Sequence, residues 1–502
     1  MDLPQRVLKG TSAFRIFWGR EGILKTLGAS GNKLRTVQLA LYLIPVAAGL
    51  LLGLLAAIPV RGMTSAAVLM TTGMLVPSAL SMRLCLPVLG AVLALLAGFV
   101  LLCLRRLDSI TPMAAIRSEA ERPFLPKDRL PPVRGRTLLP GLAIRQLLTG
   151  ARWYAGACFV ALLLTFFAAM VGRMDSWLGA DGKGMMDAFN PEDHDLGVQS
   201  FGTLTREDFE QTIRAHSAIT DTYVLAMPGV SVNGVDMTAN VTDQPERFHL
   251  LAGRAPQEAD EIVLTEFVAA DLGIVIGDTV TVGANMGAGS YTVSGIYSCA
   301  NDMGQNAGMS REGYLRIGSD HPNLWCWHYF LADPSQKAAI AADLEARYGG
   351  DVHVHENTWP GLFGIIAAMR ALVVLMYGAA ALFILTVTAI TGGRLLAEEQ
   401  KDLGIYRSIG LTVGRLRLLF ALRFALAAAV GAALGVAAAA IFTDPLVSAV
   451  MRLAGISNFA SHPGLGAALL PGAVITLLFF FFGWLGAGKI RRIPLTVLTA
   501  EQ

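Results

Sequence analysis

Apolar residues gather along this chain into six blocks, at 36–60, 84–104, 153–172, 371–391, 418–442 and 466–485. Each is about as long as the ~20 residues a helix needs to cross a bilayer, so the pattern predicts six transmembrane helices. Between the third and fourth blocks the pattern changes. "EIVLTEFVAADLGIVIGDTVTVG" reads as a short strand, a helical turn and an alternating strand, with Gly277 and Asp278 forming the turn. "YTVSGIYS" reads as another strand, and "SQKAAIAADLEARYG" as a helix with a Ser cap and a terminal Gly. Strands alternating with helices predict a compact α+β domain over 174–360. Ahead of the third block, "LPGLAIRQLLTGARWY" reads as an amphipathic helix on the inner surface, with Arg145 and Arg152 available to lipid phosphates.

Composition agrees with the blocks. The 502 residues are 54% hydrophobic and 16% charged, against about 25% charged in soluble domains. The net charge of +2 conceals an asymmetry. From Asp175 to Glu356 there are 27 acidic and 9 basic residues, which leaves 11 of the 38 acidic and 31 of the 40 basic residues elsewhere. Lys and Arg are retained in cytoplasmic loops. The loop carrying Arg105, Arg106, Arg117, Arg122, Lys127, Arg129, Arg134, Arg136 and Arg145 is therefore expected inside. So are the stretches around Lys25 and Arg407 and the tail with Lys489, Arg491 and Arg492. The acidic domain then lies outside, both termini are cytoplasmic, and the expected location is the cell membrane. Residues 1–35 lack the apolar core of a cleavable signal peptide.

"REGILKTLGASGNKLR" at 20–35 and "KDLGIYRSIGLTVGRLR" at 401–417 read as one sentence written twice. A shift of 382 residues superposes Gly22, Ile23, Lys25, Leu27 and Gly28 on Gly404, Ile405, Arg407, Ile409 and Gly410, and carries Pro112 onto Pro494 and Glu119 onto Glu501. A register held over about a hundred residues indicates a duplicated unit, an arrangement common in transporters. The first copy has no span and no outside domain in front of it. Either another polypeptide supplies them or the chain is truncated. Each repeated stretch is expected to form a short, stiff, basic knob, the second of them fixed between two spans. Ile405, Ile409 and Leu416 would anchor it, Tyr406, Arg407 and Arg415 would project, and Gly404 and Gly410 would relieve the bends.

"DLGIYRSIGLT", "AIRQLLTGARWY", "PMAAIRSE" and "PLTVLTAE" resemble the FtsX-like permeases of ABC transporters, the superfamily that includes MacB and LolC. "GRAPQEADEIVLTEFVAADLGIVIGDTVTV" resembles the MacB-type periplasmic core domain. The resemblance implies a membrane α-helical protein with one α+β extracytoplasmic domain. Its parts would be a truncated first unit (1–120), a basic linker with the amphipathic helix (121–152), a span (153–173), the outside domain (174–360) and a second unit (361–502). It also implies that the repeated stretches are coupling helices gripped by a cytoplasmic ABC ATPase, through Gly22, Ile23, Lys25, Leu27, Gly28, Asp402, Gly404, Ile405, Tyr406, Arg407, Ile409 and Gly410. Asp402 fits the acidic residue the family places two positions before the first glycine; Arg20 stands there in the first copy.

No G-x-x-x-x-G-K-[ST] phosphate loop occurs, so ATP and Mg are expected on a separate subunit. The chain itself is expected to be a non-enzymatic permease without cofactor or metal. Implied partners are the ATPase, membrane lipid, and a second permease chain or an extracytoplasmic protein; nucleic acid is not among them. The implied work is mechanical, for export or extraction of peptide, lipid, lipoprotein or antibiotic substrates. A regulator of a cell-wall hydrolase or sensor, or a non-functional fragment, are the alternatives. Three other features read as structural. His353 and His355 form a His-x-His pair with no third ligand evident, and both read as one exposed strand face. Glu207, Asp208 and Glu210 suit a helix start. Cys85, Cys103 and Cys158 read as packing residues, while Cys299 and Cys326 lie where a disulfide is permitted.

Overall fold

A computed structural model describes residues 31–72, 81–107, 138–189, 194–201, 204–357, 360–456 and 459–492. They fall into two compact units, with the division inside the long helices.

The first unit is helical. It contains α1 (Gly31–Thr72), α2 (Met82–Leu107), α3 (Leu138–Thr149), and most of α4 (Ala151–Leu178), α10 (Pro360–Glu398), α12 (Val413–Met451) and α13 (Leu465–Gly486), with the short α11 (Gln400–Ser408) between α10 and α12. Six of these helices are long and apolar enough to cross a membrane, which matches the six sequence blocks in number and order. The helices outrun the blocks: α10 and α12 each have 39 residues.

Glycine sets the helix packing. Gly431 and Gly435 lie on one face of α12, one turn apart. A Cβ on Gly431 would collide with the carbonyl oxygen of Cys158, and one on Gly435 would stand 2.6 Å from that of Leu162. The α4 and α12 backbones therefore meet where only glycine fits, the device that lets apolar helices associate without a hydrophobic driving force. Gly472 of α13 packs against Val436 and Ala432, and Gly392 of α10 against Phe420. Tyr154, Ile384, Phe420, Phe424, Ile475 and Phe479 are buried in one shared cluster. Phe479, from the "FFFFGW" run, is a packing residue, whereas Phe481 points outward. Among the described residues α1 and α2 pack chiefly on each other, and no residue of their span-length segments is buried.

The second unit is α+β, as the alternation predicts. An 11-stranded sheet runs β11-β1-β10-β2-β4-β3-β7-β8-β6-β9, with β5 pairing β8 off this path, and a parallel β4–β9 pairing closes β4-β3-β7-β8-β6-β9 into a ring. The strands are β1 (Leu196–Ser200), β2 (Ile219–Ala226), β3 (Gly229–Val232), β4 (Val235–Thr242), β5 (Leu250–Gly253), β6 (Glu261–Thr265), β7 (Thr279–Ala284), β8 (Gly287–Tyr297), β9 (Asn306–Ser310), β10 (Cys326–Leu331) and β11 (Val352–Glu356). Val232, Val241, Ile262, Val282, Val293 and Met309 form part of the buried cluster of the ring. Fully burying side chains of this size stabilises a fold by roughly 1.5–3 kcal/mol each.

Beside the ring, β11-β1-β10-β2 form a flat extension. Helices α6 (Arg206–His216) and α9 (Lys337–Tyr348) cover one of its faces, packing Phe209, Ile213, Ile340 and Leu344 on Leu196, Val198, Tyr329 and Val354. Thr205 caps α6; its backbone N–H donates to Asp208 at 2.8 Å. Glu210 is held by Arg206 and Arg214, so these acids are structural. The helix α9 ends at Gly349 as expected, but Ser335 does not cap it. Ser335 lies in a preceding turn, where its N–H donates to Asp333. Cys299 and Cys326 are free thiols. Burial pushes Cys299 up to about 11 and Cys326 up to about 12.

Candidate functional site

The second knob is α11, bracketed by α10 and α12. Helical hydrogen bonding runs almost unbroken through the junction with α10: Glu399 N–H donates to Leu395 O at 2.9 Å and Leu403 N–H to Glu399 O at 2.9 Å. The other end turns sharply. Gly410 has φ +101°, a backbone angle that glycine tolerates and other residues resist. Leu411 N–H donates to Tyr406 O at 3.0 Å, and Thr412 then starts α12, its hydroxyl accepting from Arg415 N–H at 3.4 Å. The chain is thus a tight helical elbow with one glycine hinge. Gly404 does not bend the chain; it is buried inside α11.

The facing of the knob differs from the expectation. Leu403 and Leu416 are buried and anchor it, while Ile405 and Ile409 are exposed, at 44% and 73%. The reason is the break at Glu399, which sets the rotation of a nine-residue helix and turns Leu403 inward. Asp402 and Gly410 are exposed, and Arg407 is half-buried. Tyr406 does not project. It is half-buried, and its hydroxyl accepts from Gln146 Nε2 of α3 at 3.2 Å. That bond fastens the amphipathic helix to the knob. Gly22, Ile23, Lys25, Leu27 and Gly28 of the first knob lie outside the described residues.

Behind the knob sits a pair that the apolar pattern conceals. Arg423, within the apolar run of α12, is 2% exposed. It donates to both carboxylate oxygens of Glu399, at 2.8 and 2.9 Å, and its guanidinium lies 4.9 Å from the Phe420 ring centroid. Removing one partner of a buried pair of this kind leaves an uncompensated charge, at a cost of about 3–5 kcal/mol. The bidentate geometry is what arginine supplies and lysine does not. Glu399 is the residue at which α10 gives way to α11, so the pair pins the base of the elbow to the body of α12. The available signal was a single arginine inside 418–442, since ionisable residues in such runs mark functional positions. Nearer the start of α12, Arg417 donates to the Trp484 carbonyl at 3.1 Å and stacks on its ring at 3.9 Å.

The His-x-His pair divides. His353 is exposed, but His355 meets His194 and His328. Arg370 is exposed near one end of α10.

A family model described as FtsX-like permease C-terminal matches residues 362–495. No curated protein matches the chain. Among solved structures, the chain is similar to the periplasmic region of MacB from Actinobacillus actinomycetemcomitans. That similarity is 15% in identity with a TM-score of 0.24, covering 32% of this chain and 88% of that one. The matched residues 362–495 contain α11, its glycine hinge and the Glu399–Arg423 pair, and over this stretch the chain is similar to the C-terminal part of FtsX-like permeases.

Proposed function

We propose that this chain is the membrane permease subunit of an ABC transporter, and that α11 is the element a separate cytoplasmic ATPase grips. The observation that carries the reading is the elbow itself. A short helix is pinned to α12 by a buried bidentate ion pair, hinged at one glycine, and tied to α3 by Gln146–Tyr406. A push on such a knob displaces helices rather than a loop. Its exposed Ile405 and Ile409 offer apolar surface of the kind that a protein partner covers.

In this reading ATP and Mg sit on the partner, the six apolar helices cross the cell membrane with both chain ends in the cytoplasm, and the α+β unit lies outside. α12 leaves the elbow at Val413 and ends beside the α+β fold. There Arg452 pairs with Glu266 at 3.4 Å, and Gly455 packs against the Met303 backbone where a Cβ would collide. Motion of one helix then has a mechanical outlet. The substrates it would serve are peptides, lipids, lipoproteins or antibiotics.

Co-purification with a candidate ABC ATPase subunit from the same source, in nanodiscs, tests the reading. Arg407→Ala and Ile409→Asp should retain the folded chain but lose substrate-stimulated ATP hydrolysis. Full stimulation in both variants contradicts it.

A further inference from the structure

On the face of β11-β1-β10-β2 opposite α6 and α9, one row crosses three strands. His328 of β10 and His355 of β11 are both in register with Gly197 of β1. Because Gly197 has no side chain, the imidazoles close over it; a Cβ there would collide with the His355 ring. His194, two residues before β1, brings a third ring. It stacks on His328 with centroids 3.8 Å apart and stands edge-on to His355 at 5.8 Å. Ligand nitrogens of the three lie within 4.8 Å of one another, and no other such trio of metal-capable groups occurs among the described residues.

We propose that His194, His328 and His355 bind one divalent late first-row transition-metal ion of the Zn²⁺ class. Three imidazoles without a carboxylate favour such ions and disfavour Mg²⁺ and Ca²⁺, which take oxygen ligands. His194 and His328 are buried. The Nδ1 of His328 has no hydrogen-bond partner among the described residues, an arrangement that proteins avoid unless something else satisfies the group. Burial, with the neighbouring His194 and His355 adding to it, holds His328 well below the usual histidine range. The neutral imidazole is the form that ligates metals. Tetrahedral coordination at 2.0–2.1 Å needs nitrogens roughly 3.3 Å apart, so the stacked rings must tilt and draw inward by rotamer adjustment. His355 is half-buried and gives the ion a path from solvent. Three protein ligands leave a further position for water or an external donor. His353, next but one on the same strand, is not a ligand.

The test uses the full chain purified in detergent with a non-histidine tag and stripped by a chelator. Titration with Co²⁺ is followed by its visible d–d absorption, and Zn²⁺ is counted by mass spectrometry after dialysis. The expected result is one ion per chain, an intense band of low-coordinate Co²⁺, and a thermal midpoint raised by Zn²⁺. His355→Gln should weaken binding by about 100-fold or more and abolish the band, whereas His353→Ala should change affinity less than about threefold. His328→Ala, being buried, is informative only alongside its melting curve, so His355→Gln decides. Less than one ion per chain, a weak octahedral Co²⁺ spectrum, or unchanged binding by His355→Gln would overturn the proposal.

Discussion

α1 and α12 carry the same glycine pair, one alone and one occupied. Shifting the numbering by 382 brings Gly49 and Gly53 of α1 onto Gly431 and Gly435 of α12, and brings Gly31, the start of α1, onto Val413, the start of α12. In α12 the pair lies against the α4 backbone; in α1 nothing among the described residues lies within 4 Å of where a Cβ would stand on either glycine. The ion pair follows the same division. Arg423 falls on Leu41, which is exposed. A glycine pair makes close approach possible without causing it, and what differs between the copies is whether a second helix among the described residues lies against it. In the membrane reading, lipid or a further helix covers the α1 face.

The largest expected effect breaks the comparison outright. Gly431→Leu forces a side chain into the Cys158 carbonyl and should destabilise the helical unit by about 3 kcal/mol or more. Gly49→Leu should stay within about 0.5 kcal/mol. Thermal unfolding of both variants in the same detergent measures the difference, and equal losses would mean that α1 is packed like α12. Next in size is the pair behind the elbow. Arg423→Met alone should cost about 3 kcal/mol by stranding Glu399, and Arg423→Met with Glu399→Leu should recover most of it. Leu41→Met, its counterpart in the first copy, should be silent. A double variant no better than Arg423→Met would show that the charges contribute more than each other's neutralisation.

Much of this is legible in the sequence. The six blocks predict the helices, because apolar length is a strong signal. Their ends are not legible, since segments such as "GGRLLAE" continue α10 beyond any apolar run. The alternation around Gly277 predicts β6, α7 (Glu266–Leu272) and β7 correctly. Closure of the ring is hidden because β4 and β9 pair in parallel over more than sixty residues of separation. Repetition reveals the elbow but not its facing. Leu403 and Ile405 lie on nearly opposite faces of a nine-residue helix, roughly 160° apart, and which of them turns inward is decided by the helices packed behind the elbow rather than by the repeated motif. His194, His328 and His355 are far apart in sequence and meet only through strand register, so the visible pair His353–His355 points to the wrong partner.

The smallest expected effect sharpens the contrast between the two copies of the repeated stretch. Gln146→Ala removes one half-exposed hydrogen bond to Tyr406, worth about 1 kcal/mol. The first copy has Leu24 in the Tyr406 position and cannot form its equivalent. The variant should loosen α3 from α11, seen as faster amide exchange across 138–149, while leaving the melting of the whole chain almost unmoved. Protection unchanged over that helix would mean that apolar packing alone holds it.

The decisive measurement is cysteine crosslinking at the tip of α11. Ile409→Cys, placed on an exposed residue of the elbow, should crosslink to the ATPase subunit in membranes and resist a membrane-impermeant thiol reagent added from outside. Labelling of Ile409→Cys from outside, with no crosslink to any ATPase, would contradict the account.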